Sequence, residues 1–205
     1  WKAGHRMNGS LLGFKFGAWE GGHRVPLIMR WPGKIPADSV CDQLISHVDL
    51  MATLAAIVNR PLKAGEGPDS INQLASLTGA PKAEIRKTLI ISPNSPKHLT
   101  VRRDKWVYIP AQDEGGFQGK NLGDHLFAGP AALPFAGRIN SDVVDGKLRP
   151  NAASAQLYDL EEDPFQTRNV YMQYPEVVKE LDDVLHGYRA EIPSGKALGW
   201  INLKQ

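Results

Sequence analysis

The stretch that decides the fold runs His98-Leu99-Thr100-Val101-Arg102-Arg103-Asp104-Lys105-Trp106-Val107-Tyr108-Ile109. Two runs rich in β-branched and aromatic residues flank a tight turn at Arg103 and Asp104, which predicts an antiparallel hairpin. A similar run, Thr88–Ile91, precedes the hairpin, and residues 156–160 form another short run of this kind. We therefore predict a small antiparallel sheet built as a meander.

A helix is predicted after these strands, and it begins at Pro175, a residue favoured in the first turn of helices. Its apolar side chains fall on one stripe at helical spacing, with Glu, Lys and Asp on the other face. This pattern predicts that the helix packs across the antiparallel sheet. The stripe contains Val177, Val178, Leu181, Val184, Leu185 and Tyr188.

The remaining chain predicts three further features. Residues 25–31 are a short apolar run closed by Pro32 and Gly33, which predicts a buried strand ending in a turn. Ser46 with Asp49 three residues later predicts the start of a helix whose apolar face is formed by residues 50–58. Glycines and prolines interrupt every periodicity in residues 111–153, which predicts a long loop or insertion, functional or mobile, rather than packed structure.

The composition is that of a globular protein able to bury a core. The 205 residues are 42% hydrophobic and 22% charged, and 24 cations against 22 anions give a formal net charge of +2. These values argue against disordered, collagenous, coiled-coil and nucleic-acid-binding classes. No run approaches the about 20 apolar residues of a membrane-spanning helix, so we predict no membrane span.

The chain has a single cysteine, Cys41. One cysteine cannot form an intrachain disulfide, and it excludes the cysteine-rich zinc modules. We predict that Cys41 is a small buried apolar residue.

The segment from Lys15 to Pro26 concentrates the residues suited to chemistry. Gly21 and Gly22 allow positive φ angles and close backbone approach. The Lys15 ammonium is suited to a sulfate or phosphate group, although a solvated lysine beside a turn fits the pattern as well. His23 either lines a polar substrate pocket or donates to a backbone carbonyl, and Glu20 with Arg24, four residues apart, predicts a structural ion pair.

A second histidine, His5, either faces the same rim as Lys15 or is a solvated loop residue. The spacing of the six histidines does not match a helical zinc site, and no cluster of paired carboxylates predicts a metal site. A Walker loop, a dinucleotide-binding glycine fingerprint and a Gly-x-Ser-x-Gly elbow are absent from the sequence.

Several blocks, in order along the chain, resemble the formylglycine-dependent sulfatases, the arylsulfatase group of the alkaline-phosphatase superfamily. The first is the Lys15 segment with Glu20-Gly21-Gly22 and Arg24-Val25-Pro26. The others resemble the family's Asp-Leu-x-Pro-Thr-Leu helix, its Asp-Gly-x-Ser-Leu segment, its Lys-Trp hairpin and its Leu-Tyr-Asp-Leu-x-x-Asp-Pro signature. These four lie at residues 48–54, 69–79, 102–108 and 156–164.

This resemblance implies an α/β fold, α+β in its C-terminal part. Residues 1–85 are then the end of a large mixed α/β catalytic domain. Residues 86–205 form a small domain in which the antiparallel sheet packs against the C-terminal helix, with the loop at 111–153 beside it.

The resemblance also implies the activity and the site residues. The parent enzyme hydrolyses aryl or carbohydrate sulfate esters with a formylglycine nucleophile and Ca²⁺. Lys15 corresponds to the family lysine that contacts the substrate sulfate, and we expect His23 and His5 to bind substrate. The nucleophile motif and the Asp-Asn pair that binds calcium do not occur in this chain.

The resemblance therefore predicts the C-terminal portion of a sulfatase that is inactive by itself. Its expected partners are the N-terminal portion or a second copy, not nucleic acid, and the parent is expected in the periplasm or secreted. The alternative is a non-catalytic module that binds sulfated glycans or has a structural role. A phosphatase or phosphodiesterase of the same superfamily fits the Glu-Gly-Gly-x-Arg-Val-Pro block less well.

Overall fold

The computed structural model describes residues 3–79, 84–116 and 129–191. The helices are α1 (Glu20–His23), α2 (Asp49–Ile57), α3 (Leu74–Leu77), α4 (Ala132–Ala136) and α5 (Pro175–Glu191). The strands are β1 (Thr88–Ile91), β2 (Thr100–Arg103), β3 (Trp106–Ile109), β4 (Val143–Val144), β5 (Lys147–Leu148) and β6 (Gln156–Asp159). The chain divides into two compact units, Trp1–His23 with Ile90–Gln205, and Arg24–Leu89. The predicted domain boundary between residues 85 and 86 stays a prediction.

The first unit is built on a four-stranded sheet with the order β1-β2-β3-β6. Strands β2 and β3 are antiparallel with Val101 opposite Tyr108, and β6 runs antiparallel to β3 with Tyr158 opposite Val107. Asp104 takes a positive φ of 51° in the turn between β2 and β3. This conformation suits the short polar side chain of aspartate. The predicted antiparallel meander is confirmed.

Helix α5 covers one face of this sheet, as the periodicity predicted. Leu181 and Leu185 are buried against Val101, Tyr108 and Leu157. Because successive side chains of a strand alternate between faces, these strands leave a second apolar set on the opposite side.

The opposite face of the sheet is covered by the segment that precedes α1 and by α4. Leu12 and Trp19 form one core with Val107, Ile109 and Tyr158, and Leu133 of α4 completes it. A buried polar network lies within this core: the Trp19 Nε1 and the Tyr158 hydroxyl both donate to Gln156 Oε1, at 2.8 and 2.7 Å. The sheet is therefore packed on both faces, which places the Lys15 segment against the antiparallel sheet.

The prediction of an unpacked loop at residues 111–153 is wrong for the part that the structure describes. Glu114 is fully buried, α4 buries Leu133, and β4 pairs with β5 in a short hairpin. The glycines fall in turns, such as Gly137 with φ 61° at the end of α4 and Gly146 with φ 73° between β4 and β5. The interrupted periodicity therefore reflects closely spaced turns. Residues 117–128 lie outside the described residues.

The second unit, Arg24–Leu89, buries polar rather than apolar side chains from α2. Ser46 donates its backbone N–H to Asp49 Oδ2 at 2.9 Å, which is half of the predicted capping box, and the helix begins at Asp49. Asp49 and Thr53 are its buried residues, whereas Met51, Leu54 and Val58 of the predicted apolar face are exposed. The predicted helix is confirmed, but its apolar face is largely exposed among the described residues.

Two further predictions for this unit are wrong. Residues 25–31 form no strand within the described structure, and Ile28 is 91% exposed, because no neighbouring strand there supplies hydrogen-bond partners. Cys41 is exposed and unpaired by any disulfide, since it lies in an irregular surface segment rather than in a core.

Candidate functional site

Lys15 lies at the tip of a tight turn that closes with a hydrogen bond from Gly17 N–H to the Phe14 carbonyl at 3.0 Å. Phe16 adopts a φ of 78°, a left-handed conformation that costs free energy for a residue with a side chain. The Lys15 side chain is exposed, with its Nζ 4.6 Å from the centroid of the Phe16 ring. The turn therefore presents an ammonium group to solvent beside an aromatic face.

The underside of this turn is held by Glu114, which comes shortly after β3. Glu114 Oε2 accepts a hydrogen bond from Phe14 N–H at 3.2 Å, and the Glu114 carbonyl accepts one from Ala18 N–H at 2.7 Å. A Cβ on Gly13 or Gly17 would lie 2.7 or 2.6 Å from Glu114 Oε2. Glycine is required at both positions because any side chain would displace the carboxylate.

Glu114 is fully buried, and burial raises the pKa of its carboxyl group to about 7. The Asp113 carboxylate also raises this pKa, whereas the Phe14 and Gly129 amides and the His98 ring lower it. A carboxyl group shifted this far changes its charge in the neutral pH range.

His98 lies in a cluster close to Glu114 and is almost fully buried. Its Nδ1 is 2.9 Å from Ser95 Oγ, and its Nε2 is 2.6 Å from the Gln112 carbonyl and 3.2 Å from Asp113 Oδ1. Burial lowers the pKa of His98, but the Asp113 carboxylate and the Gln112 carbonyl outweigh it, so the net pKa lies above its ordinary value.

The sequence analysis missed both Glu114 and His98. A usable signal was the run Asp113-Glu114-Gly115-Gly116 directly after a strand, which repeats the Glu-Gly-Gly pattern of residues 20–22. Gly115 has a φ of 61°, and a Cβ there would collide with the His98 ring. The pattern was hidden because it lies in the stretch interpreted as an unpacked loop.

Glu20 begins α1 and is fully buried, as expected for a structural residue. Its carboxylate is 3.3 Å from Arg102 Nη1 and 3.4 Å from His23 Nε2, and its backbone N–H donates to Gln166 Oε1 at 2.8 Å. The predicted ion pair with Arg24 stays a prediction. Arg102, on β2, is the partner that the sequence did not indicate.

Gly21 and Gly22 lie in α1 and do not adopt the positive φ angles that glycine allows. Close approach does apply: Gly21 N–H donates to the Leu12 carbonyl at 2.6 Å, and a Cβ on Gly22 would collide with the Gly17 carbonyl. These glycines therefore allow α1 to lie directly against the Lys15 turn.

The three predicted site residues, Lys15, His23 and His5, lie in different environments. His23 is half-buried and turned toward Glu20, and its Nδ1 is buried without a hydrogen-bond partner in the described part of the chain. His5 lies in an exposed segment, with no recorded contact to Lys15 or His23 among residues 3–79, 84–116 and 129–191. Lys15 alone of the three stands on a turn fixed by buried groups.

Comparison with known proteins finds similarity to sulfatases. Residues 4–59 match the Sulfatase family model. The chain is 31% identical over 186 residues to the N-acetylgalactosamine-6-O-sulfatase of Bacteroides thetaiotaomicron, covering 91% of this chain and 31% of that protein. It is also 34% identical over 77 residues to human arylsulfatase G, covering 38% of this chain and 14% of that protein.

A solved sulfatase structure agrees with these matches. It is described under the metabolism of multiple glycosaminoglycans by Bacteroides thetaiotaomicron, and it aligns with a TM-score of 0.67 at 30% identity over 92% of this chain and 34% of that chain. The chain is a relative of the sulfatases. It corresponds to the C-terminal part of these proteins and spans about a third of the length of the two bacterial ones. The mixed helix and antiparallel-sheet fold predicted for this part of a sulfatase is confirmed.

The described residues contain no group of three or more His, Cys, Asp or Glu side chains that could hold a metal ion. None of their helices is long and apolar enough to cross a bilayer.

Proposed function

We propose that this chain forms the C-terminal part of a sulfuric ester hydrolase and that its Lys15 ammonium contacts the substrate sulfate. The observation that carries the proposal is the Lys15 turn itself. An exposed ammonium stands on a backbone that buried groups hold in a strained conformation. Strained backbone that the surroundings enforce is typical of functional sites.

The chemistry of sulfate ester hydrolysis suits such a group. In the net reaction a water oxygen bonds to sulfur, the ester S–O bond breaks and a water proton passes to the leaving alcohol oxygen, while negative charge builds on the oxygens around sulfur and on that leaving oxygen. An ammonium with three donors stabilises that charge without a proton transfer of its own. We assign this role to Lys15, and His23 and His5 are proposed as residues that bind the remainder of the substrate.

The calcium ion and formylglycine that the family implies do not fit the described residues of this chain. These residues lack a cluster of metal-ligating side chains, and the sequence lacks the nucleophile motif. We therefore assign both groups to the parent enzyme and propose that this chain alone does not turn over sulfate esters.

The similarity to an N-acetylgalactosamine-6-O-sulfatase supports a carbohydrate sulfate, rather than an aryl sulfate, as the substrate of the parent. A periplasmic or secreted location of the parent is proposed from the same similarity. The rest of a longer sulfatase chain is the proposed partner, because the relatives are about three times as long as this match.

The experiment is a titration of the chain with N-acetylgalactosamine-6-sulfate, followed by the backbone amide signals of residues 13–18. Lys15→Ala is expected to weaken binding at least fivefold, because it removes the cation that faces the sulfate. Lys34→Ala, also an exposed lysine after a turn, is the matched control and should leave binding unchanged.

A parallel assay of sulfate release, with N-acetylgalactosamine-6-sulfate and an aryl sulfate as substrates and Ca²⁺ present, tests whether the chain is active. Binding without turnover supports the proposal for the chain as it stands. Calcium-dependent turnover by the chain alone contradicts its assigned inactivity. Binding that Lys15→Ala does not change contradicts the role of Lys15 and supports a glycan-binding module that uses another surface.

A further inference from the structure

The Glu114 carboxylate is held between two backbone amides from separate parts of the chain. Oε2 accepts from Phe14 N–H at 3.2 Å, and Oε1 accepts from Gly129 N–H in a short contact. Each oxygen thus accepts a hydrogen bond from a different backbone amide. The ionised carboxylate accepts more strongly from both amides, because a proton on either oxygen removes the negative charge and uses part of the acceptor capacity.

Glu114 accepts hydrogen bonds from the Lys15 turn on both sides of Lys15. Its side chain binds Phe14, before Lys15, and its backbone carbonyl binds Ala18, after it. The tip receives a third support, since Asn94 N–H donates to the Phe16 carbonyl at 2.9 Å. Ser95 N–H in turn donates to the Gly115 carbonyl at 3.0 Å, so the supports are tied to one another.

We propose that Glu114 is a positioning residue for sulfate binding: its ionised carboxylate holds the turn at residues 14–18 in the conformation that presents Lys15 to an anion. The proposal rests on the proposed function of Lys15. It goes further by making anion affinity depend on the charge state of a buried residue that does not touch the anion.

The charged groups around Glu114 make this coupling act near neutral pH. Burial raises the pKa of Glu114 to about 7, and the neighbouring Asp113 adds to that rise. His98 opposes it from the 3₁₀ turn Pro96–His98. Within the turn at residues 13–18, Lys15 is the only titratable side chain, and it points to solvent; α4 has none.

The expected change in anion affinity follows from the ionised fraction of the Glu114 carboxyl group. With a midpoint near pH 7, that fraction rises from about one tenth at pH 6 to about nine tenths at pH 8, so the affinity for anions should rise about ninefold. Inorganic sulfate is the probe, because it remains a dianion throughout this range. Direct repulsion between Glu114 and the anion would act in the opposite direction.

The experiment measures sulfate affinity of the chain at pH 6 and pH 8 for the wild type and Glu114→Gln. Glutamine resembles the protonated acid, so this variant should bind with the low affinity of the wild type at pH 6 and lack the ninefold rise. Asp113→Asn keeps the Glu114 carboxyl group and should keep a rise, with its midpoint at lower pH, because the Asp113 carboxylate raises the pKa of Glu114. His5 and His23 are present in every variant, so a difference between variants does not come from them.

The backbone amide signals of the turn report whether Glu114 holds it in place, even when no anion is bound. The Phe14 amide shift should titrate with a midpoint near 7 in the wild type and not in Glu114→Gln, and Phe14 hydrogen exchange should be faster in the variant. If Phe14 titrates but sulfate does not bind at any pH, the assigned function of Lys15 fails while the support of the turn stands. If Phe14 neither titrates nor changes its exchange, the positioning role is overturned.

Gly17→Ala provides a second test should Glu114→Gln fold poorly. Its Cβ would lie 2.6 Å from Glu114 Oε2 and displace the carboxylate, and Gly17 does not have a positive φ. We expect at least a fivefold loss of sulfate affinity at pH 8. The control is Gly187→Ala in α5, whose Cβ meets nothing within 4 Å. Equal affinities in the two variants, or an affinity that is constant or falls from pH 6 to pH 8 in the wild type, overturn the proposal.

Discussion

At the scale of single residues, buried carboxylates organise both units of this chain. Asp49 is the clearest case: it accepts from the Ser46 and Ile71 amides at 2.9 Å and pairs with Arg86. Burial alone would raise the pKa of Asp49, but the Arg86 guanidinium and the backbone donors outweigh it, so the pKa lies below its ordinary value. The ionised Asp49 carboxylate therefore raises the free energy of unfolding above about pH 4, and this contribution is lost as the pH falls further.

Asp49→Asn should lower the free energy of unfolding by about 3–5 kcal/mol, because it leaves the Arg86 guanidinium buried without its counterion. Urea unfolding at pH 7, followed by the amide signals of residues 44–79, measures the change. Asp42→Asn makes the same substitution at an exposed position and should stay within about 0.5 kcal/mol of the wild type. Equal stabilities of the two variants would show that the buried pair contributes nothing net.

At the scale of elements, an apolar stripe predicted packing correctly where the surface that it covers is formed by the same chain. The stripe of α5 was predicted correctly because the sheet that it covers is formed by strands in the same chain. The stripe of α2 has the same helical spacing, yet Met51, Leu54 and Val58 are exposed in the described structure. Periodicity identifies an apolar face, but it does not say what covers that face.

Leu185→Ala in α5 should lower the free energy of unfolding of the first unit by about 2–5 kcal/mol, because it leaves a cavity between the helix and the sheet. Thermal or urea unfolding monitored by tryptophan fluorescence measures the loss, since Trp19 and Trp106 both lie in this unit. Met172→Ala removes an exposed side chain nearby and is expected to change stability by less than about 0.5 kcal/mol. A loss for Leu185→Ala no larger than that of Met172→Ala would mean that α5 is not docked on the sheet.

At the scale of the whole molecule, residues distant in sequence build the first unit. Residues before α1 pack on one face of the sheet while α5 packs on the other. The second unit instead exposes apolar side chains in residues 25–29 and along α2. Exposed apolar surface of this kind is typical of an interface with another chain or another part of the same protein.

The isolated chain should therefore self-associate when the rest of a sulfatase is not there to cover this surface. Light scattering at about 100 μM should give a mass above the 22.5 kDa of one chain. Ile28→Asp and Leu54→Asp should lower that mass, whereas Met172→Asp, at an exposed apolar residue of the first unit, should not. A monodisperse monomer at this concentration would contradict the prediction.

The sequence by itself determined the meander and the helix after it, because their signals are local: alternation and helical spacing. Only the tertiary structure decided that Glu114 accepts hydrogen bonds from Phe14 and Ala18 of the Lys15 turn. Phe14 and Glu114 are 100 residues apart, and the hydrogen bond between them exists because β3 delivers Glu114 beneath the turn. The same reason explains the exposed stripe of α2 and the burial of Asp49. Whether a side chain is buried, and at what cost in free energy, depends on neighbours that no local pattern specifies.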